Sequence, residues 1–572
     1  MRTGFPSLRF FSLTSPALFP FFCRFAPKKQ ALVKDAASIN LAEQSFPAHR
    51  RKANAPRILW IKRCPSLSAM NDLLEFLRMT LCPLLLLILL PASLLARDLT
   101  DALESYIPSL MEDQNIQGIQ VHVFRPGRTY TKSFGLADSE TDQKLTDDTV
   151  FAVGALRGPL TAYALLGFMK EQGISPDHPL TLPDGSRVTA AQLLMMTAGL
   201  QSTHEGLVSP AVEEPLASVR KTLLEETLHT VLPAGEHYIY SPQGYQWLAQ
   251  TTLDRPESGA LVRQRILDTL SMPNSFFYAE REQRKATSVA TGYEPRGKTP
   301  APIPLPAVAF EAYLDLLTTA SDYGIFLRAL IQEANNPNSV AHYMLEEKWK
   351  SQLPGGRTAG FYYHKLCGPE GPGFYRILSQ YPGFAAGAIF TRDGRGAVVL
   401  LNARQQMTLQ QILDRILPDL YPECRPFLER MQPGYFPENV SPPMIEELEG
   451  YYRPRYMLTG SASTFAFLAD THLSLEDNAI RFSGFFETHP SIHLIPLAPD
   501  LFYARGKAGM DGWLLRVVRN RDGEVTGLQS DLMPYDRVNV MFSIGGIVGF
   551  SVLGLVLLAI ALVWFFVRRR ES

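Results

Sequence analysis

The sequence predicts a mixed α and β chain built from a large helix-and-strand region, a smaller all-β region and a C-terminal apolar helix. Three observations carry this. Short alternating strands, Ile119 to Phe124 and Ala397 to Leu401, are interleaved with amphipathic helices such as Leu160 to Glu171. After a proline-rich stretch from Pro418 to Pro443, strand-like runs follow one another with Asp-Gly turns at Asp511-Gly512 and Asp522-Gly523. From Phe542 to Val567 the chain carries no charge.

At 572 residues the chain exceeds one ordinary domain. Lys plus Arg (55) nearly cancel Asp plus Glu (56), for a formal net charge of -1. No basic run is interleaved with aromatics in the expected mature chain, which argues against nucleic acid as a partner. Charged residues make up 19% and hydrophobic residues 46%, a skew to which the two apolar segments contribute.

The uncharged stretch 542–567 is long enough, as a helix, to cross roughly 30 Å of hydrocarbon. It ends in Arg568-Arg569-Arg570, which the positive-inside rule retains on the cytoplasmic side, with Trp564 placed as an interfacial aromatic. Residues 568–572 are then a cytoplasmic tail and the globular parts extracytoplasmic. Gly545 and Gly549 form a small-xxx-small pair compatible with a weak homodimer.

Near the other end, Leu81 to Leu95 is shorter, contains two prolines and ends in Ala96 before Arg97-Asp98. Residues 70–96 read as a signal peptide starting at Met70, an uncleaved signal anchor being the alternative. Residues 1–69 are basic, aperiodic and proline-bearing. They read as a non-native or disordered leader, with a transit peptide as the other reading. Cys23, Cys64 and Cys82 all precede the expected mature chain, which leaves Cys367 and Cys424 to pair as a disulfide or to stay as buried thiols. Zinc spacing is absent, and no metal or other cofactor is expected.

Between residues 97 and 420 four stretches occur in one order. Phe151-Ala-Val-Gly-Ala155-Leu-Arg-Gly158 is similar to Phe-x-x-Ala-Ser-x-x-Lys. Gln192-Leu-Leu-Met-Met-Thr-Ala-Gly199-Leu200 is similar to Leu-Leu-x-His-Thr-Ser-Gly-Leu. Pro233-Ala-Gly-Glu-His-Tyr-Ile-Tyr240-Ser-Pro242-Gln-Gly244-Tyr245 is similar to Pro-Gly-x-x-Phe-x-Tyr-Ser-Asn-x-Gly-Tyr. Pro382-Gly383-Phe384 with Ala397 to Asn402 looks like a closing strand pair. Together they resemble the serine β-lactamase and penicillin-binding-protein-like family: class C β-lactamases, D-alanyl-D-alanine peptidases and esterases. The resemblance implies an α+β fold, an antiparallel sheet flanked by helices with the site between the sheet and an all-helical part.

It also implies where chemistry belongs. In this family a serine at the start of a buried helix attacks a carbonyl, and a lysine one turn later takes its proton. Those positions here are Ala155 and Gly158. A tyrosine relays the proton and an asparagine orients substrate and lysine. Tyr240 is kept and Pro242 replaces the amide. The edge-strand Lys/His-Thr/Ser-Gly element falls on Ile377-Leu378-Ser379, where Ser379 alone is polar. The backbone amide of Ala155 would still be an oxyanion-hole donor, so Ala155, Tyr240 and Ser241 are candidates for holding a carbonyl or carboxylate ligand without cleaving it.

Other candidate groups have blander readings. Ser218-Val-Arg-Lys221 fits Ser-x-x-Lys as a string but follows the Met196-to-Gly199 element instead of preceding it, so a solvated helix face explains it. Thr161 and Ser241 are further hydroxyls, and His204 and His237 further bases, without evident partners in sequence.

Residues 421–445 are expected to link to a small barrel or sandwich over 446–538, with strands at Leu448 to Arg453, His472 to Leu475, Ala479 to Phe482, Leu501 to Ala504 and Trp513 to Val518. The opening Gly450-Tyr-Tyr-Arg resembles the lipocalin-like domain that trails this family's catalytic domain. The expected function is a membrane-anchored, non-catalytic relative that binds an envelope ligand, peptidoglycan-derived or a peptide or ester, or a protein. A divergent serine hydrolase using another nucleophile is the competing reading, and a structural partner with a collapsed pocket the third.

Overall fold

The structure, a computed structural model, describes residues 99–562, apart from 202–205, 209–213, 254–257, 285–286, 296–298, 347–348, 351–354, 366, 368–370, 433, 456–469, 477–478, 485–491, 507–512, 531–533, 545, 548–550, 552–553, 556 and 560. The leader 1–69, the signal segment 70–96, His204 and the tail 568–572 lie outside the described residues.

The larger domain is built on a nine-stranded antiparallel sheet. In chain order its strands are β1 (Gly118–Arg125), β2 (Arg128–Asp138), β3 (Gln143–Lys144), β4 (Trp349–Lys350), β5 (Gly355–Thr358), β6 (Phe361–His364), β7 (Phe374–Tyr381), β8 (Phe384–Phe390) and β9 (Gly396–Leu401). The spatial order is β4-β5-β6-β7-β8-β9-β1-β2-β3, so the N-terminal hairpin completes a sheet begun by the C-terminal strands. The central strands β8 and β9 are buried along their whole length. That burial explains why they read as continuous apolar runs (Ala397-Val-Val-Leu-Leu) and not as alternation.

Register decides which side chains face which layer. Ser379 pairs with Ala386, Ala386 with Leu400 and Leu400 with Gln120, placing all four on one face. Against this face packs helix α4 (Ala320–Glu333), joined in the helical layer by helix α2 (Arg157–Glu171) and helix α3 (Pro242–Leu253), with Leu160, Leu165, Leu248, Tyr323 and Phe326 in one core. The opposite face carries Ile119, Val121, Ala397 and Val399 under helix α1 (Leu99–Gln114) and helix α5 (Gln406–Leu420). Cys367 and Cys424 form a disulfide in this second core, with Cα atoms 5.0 Å apart, tying the segment after β6 to the chain just beyond α5. Of the two readings of this pair, the disulfide is the one observed.

Two buried polar side chains fasten the helical layer to the sheet. Gln120 accepts from the Ala320 amide at 2.6 Å, at the start of α4, and donates to the Thr146 carbonyl at 3.0 Å. His122 Nδ1 meets Thr131 Oγ1 at 2.7 Å, and its ring lies against Gly324 of α4, where a Cβ would stand 2.6 Å from Nε2. Only glycine lets α4 approach so closely.

The smaller domain is a closed barrel of β10 (Gly450–Pro454), β11 (Thr471–Glu476), β12 (Ala479–Gly484), β13 (Ile492–Ala498), β14 (Leu501–Gly506), β15 (Trp513–Arg519), β16 (Val525–Ser530) and β17 (Pro534–Val538). The barrel-or-sandwich alternative thus resolves as a barrel. Its core is filled by Tyr452, Leu473, Phe482, Leu494, Phe502, Leu515 and Leu528. The segment expected as a linker is structured in part: a helix at Arg425–Arg430 sets Phe427 edge-on to Tyr503, with centroids 5.6 Å apart. Met431 is buried with Ile495, Leu501 and Leu514.

The apolar stretch 542–567 is described only in part. Among the described residues no helix is long and apolar enough to cross a membrane.

Candidate functional site

The candidate site lies where α2 begins. Gly154 takes φ +50°, a conformation that L-residues with side chains rarely adopt, and opens a short 3₁₀ turn, Gly154–Leu156, that runs into α2. A Cβ at Gly154 would stand 2.6 Å from Ser379 Oγ and 3.0 Å from the Tyr381 ring, so β7 lies directly against the turn.

The amide of Ala155, the one donor expected to survive, is already used. It donates to Ser379 Oγ at 2.9 Å, and both residues are buried. From the resemblance Ala155 is expected to offer its N–H to a ligand carbonyl; in this structure the sheet supplies an acceptor for it. Satisfying a buried N–H internally avoids a desolvation penalty of about 1–3 kcal/mol.

The position one turn later is occupied as well. A Cβ at Gly158 would lie 2.8 Å from Tyr313 Cδ2 and closer still to Cε2, so an aromatic ring fills the space a base would need. Tyr313 is held there by its own short helix, Glu311–Leu314. Thr161 of α2 donates to the Ala312 carbonyl at 2.6 Å, and Gln246 of α3 accepts from the Ala312 amide at 2.9 Å.

The Met196-to-Leu200 element positions the next motif through its backbone. Met196 (φ +57°) and Gly199 (φ +72°) bend the chain so that Val231 and Leu232 donate to the Gly199 carbonyl. Gly235 donates to Thr197 O at 2.7 Å and Ile239 to Met196 O at 2.9 Å. These bonds deliver Tyr238 and Tyr240 to the site.

Tyr240 is half-buried, with its ring edge-on to Tyr313 at 5.9 Å, and Tyr313 in turn packs on Tyr245 at 4.8 Å. Burial, and then Tyr362, push the Tyr240 hydroxyl well above its ordinary range. Burial does the same to Tyr313. Both phenols are neutral and protonated near pH 7, unsuited to accepting a proton.

Beside them Arg357 of β5 sits in the corner between two steeply inclined phenol rings, 4.1 Å from the Tyr238 centroid and 3.6 Å from that of Tyr362, the two rings lying 67° apart. The two hydroxyls of that pair meet at 2.6 Å. Arg357 is buried and donates to Met195 O at 3.3 Å, and its charge is met mainly by the two π faces.

The remaining candidates fall into structural roles. Ser241 is buried and donates to Ile239 O at 2.9 Å. Pro242 opens α3, where its missing N–H costs nothing. Ile377 lies in the apolar core. No hydrogen bond of Ser241, Ser379 or Thr161 among the described residues reaches a lysine or histidine.

Ser218 bonds Glu214, and Lys221, 77% exposed, pairs at 3.9 Å with Glu225 one turn on, as a solvated helix face should. His237 is half-buried; burial, then Arg455 of the barrel, lower its pKa. Among the described residues no group of three His, Cys, Asp or Glu could hold a metal ion.

Sequence reasoning missed Tyr313, Arg357 and Tyr362, which belong to no motif. It also missed Arg157, which sits between the two degenerate positions but points away from them. Arg157 is fully buried, donates through Nε to Asp315 at 2.9 Å and through Nη2 to Ser258 at 3.3 Å, and lies 4.7 Å over the Phe277 ring.

Comparisons with known proteins agree with this architecture. A β-lactamase from Pseudomonas fluorescens is 26% identical over 238 residues, covering 40% of this chain and 63% of that protein. Esterase EstB from Burkholderia gladioli is 30% identical over 120 residues, covering 19% of this chain and 31% of the esterase. The chain thus spans less than two thirds of either relative's length. The crystal structure of SurE superposes with a TM-score of 0.52 at 20% identity, covering 77% of this chain and 98% of SurE, a likeness of fold. The β-lactamase family model matches residues 103–417, from α1 through the sheet into α5 and past each of the four motifs, and the chain belongs to that family.

Proposed function

We propose that this β-lactamase-family chain is a non-hydrolytic, membrane-tethered protein that acts by binding a protein partner in the cell envelope. The observation that supports this is the state of the site: the positions of nucleophile, base and oxyanion donor are each occupied by the protein's own groups. Ala155 carries no nucleophile and donates its amide to Ser379, and Tyr313 fills the space beside Gly158. A peptidoglycan-derived, peptide or ester ligand fits less well, because the Ala155 amide and the Ser241 hydroxyl are already bonded within the protein. A hydroxyl without a basic partner, beside an oxyanion-position amide already bonded to Ser379, lacks two of the largest contributions to acyl-transfer catalysis. The uncharged segment and Arg568-Arg569-Arg570 support a single span with the globular domains outside.

The names of the relatives, a β-lactamase and an esterase, favour the second reading, a divergent hydrolase. Treatment of the purified protein with a fluorescent penicillin and a fluorophosphonate, beside an active family member, separates the two. No adduct by mass spectrometry is expected. A stoichiometric adduct on Ser241, Ser379 or Thr161 overturns the non-hydrolytic reading.

A further inference from the structure

Exposed large hydrophobic side chains are ordinary when single and informative when clustered. In this protein Ile174, Val231 and Met407 are exposed singly, whereas Val540, Met541 and Phe542 are exposed in succession, at 61%, 58% and 68%. They form one 3₁₀ turn, Val540–Phe542, whose geometry is fixed at both ends. At its start Asn539 accepts from the Met541 amide at 3.0 Å. At its end Ser543 and Ile544 are buried, and Ser543 Oγ caps the next turn by accepting from Gly546 N at 3.1 Å.

A clamp on the barrel holds this end down. Asp470, fully buried just before β11, accepts from the Ile544 amide at 3.0 Å and from Arg453 Nε of β10 at 2.7 Å. Arg453 Nη2 closes the loop by donating to the Phe542 carbonyl at 2.9 Å. A short rigid turn thus presents three apolar side chains outward at the point where the chain enters its uncharged segment.

We infer that this turn is a membrane seat: Val540, Met541 and Phe542 insert into the interfacial layer of a lipid bilayer, and the Arg453–Asp470 clamp fixes the barrel against that surface. The occupant is lipid because the turn is continuous with residues 542–567, which carry no charge and end in three arginines. The clamp converts a tether into a rigid mount. It bonds the backbone on both sides of Ser543, so the barrel cannot swivel about the entry point without breaking charge-assisted hydrogen bonds. This inference rests on the span reading and adds the depth and rigidity of the entry point.

The test uses the full chain with Cys23, Cys64 and Cys82 changed to serine, reconstituted into phosphatidylethanolamine and phosphatidylglycerol vesicles. An environment-sensitive fluorophore is placed at Met541→Cys or Leu558→Cys, with lipid quenchers near the headgroup or at the chain end. The label at 541 is expected to be blue-shifted and quenched mostly by the shallow lipid, and that at 558 mostly by the deep one. If 558 is quenched and 541 reads as aqueous, the seat is refuted while the span stands. If 558 reads as aqueous, the span reading fails and the seat with it. Self-quenching at 541 that rises with protein-to-lipid ratio, without lipid quenching, assigns the turn to a contact between copies and overturns the inference. Asp470→Asn is expected to lower the fluorescence anisotropy at 541 with the β-sheet circular dichroism unchanged. Unchanged anisotropy refutes the clamp.

Discussion

Gly158→Ala tests whether the ring of Tyr313 fills the place of the missing base. The added Cβ would sit 2.8 Å from Cδ2 and nearer to Cε2, against an ordinary approach of about 3.5–4.0 Å between carbons. The ring has little room to retreat, because Tyr245 packs on it at 4.8 Å and Tyr240 at 5.9 Å, and the Ala312 backbone beside it is bonded on both sides. Overpacking of a rigid core costs about 1–3 kcal/mol, and confinement on every side puts this case near 3 kcal/mol. At roughly 2–4 °C per kcal/mol, the melting temperature should fall by about 6–12 °C. Tyr313→Leu removes the obstacle at its own cost of about 2–3 kcal/mol, by analogy with other large-to-small core changes. The decisive quantity is the double-mutant cycle. Gly158→Ala with Tyr313→Leu should be more stable than the sum of the single changes by about 1–3 kcal/mol, measured by urea and thermal unfolding. Strict additivity, or a neutral Gly158→Ala, would falsify the idea that this ring occupies the site.

Other consequences follow from groups described above. Burial, then Arg328, hold the His122 pKa down to about 4 from 6.5. Between pH 6.5 and 4 the unfolded chain binds the proton that the folded chain excludes, so stability is full above pH 6.5 and falls by about 3 kcal/mol across that window; His122→Gln should flatten the slope in denaturant titrations. Asp315→Asn leaves Arg157 charged, buried and without its counter-ion, for a loss of about 3–5 kcal/mol, whereas Arg157→Met with Asp315→Leu should recover most of it. Reducing Cys367–Cys424, 57 residues apart in sequence, releases a loop worth about 4 kcal/mol by chain entropy, so melts with and without reductant should differ by several degrees.

How far the fold was legible depends on how local its signals are. The alternation at Ile119 to Phe124 and the apolar run at Ala397 to Leu401 fall within observed strands, because strand burial is written in consecutive residues. In the barrel, three strands went unread for local reasons. Ile492–Ala498 contains Pro496, which the structure places at a register shift where a ladder bond is dispensable. Val525–Ser530 contains Gly527, where a Cβ would collide with the Tyr535 backbone, and Pro534–Val538 starts on a proline and carries two charges.

At the site, the losses at Ala155, Gly158 and Pro242 were visible because the motifs fix those positions. What replaced them was not, since Tyr313 lies 155 positions after Gly158 and Arg357 nearly 200, and each meets the motif only through tertiary packing. Ser379 shows the limit most clearly. Its identity was noted, but only the register of β7 against the α2 turn makes it the acceptor for Ala155.

The bond between Ala155 and Ser379 also bears on the history open to this chain. Restoring a serine at 155 gives a nucleophile without a base. A lysine at 158 meets the Tyr313 ring, and removing that ring alone opens a hole in the core. Clearing Ser379 alone strands a buried amide. If the chain is non-hydrolytic, as proposed above, each single step toward hydrolysis lowers stability or leaves activity unchanged. On that proposed reading the site would act as a ratchet, with single substitutions at 155, 158 or 379 costing packing or a hydrogen bond before any turnover could be gained.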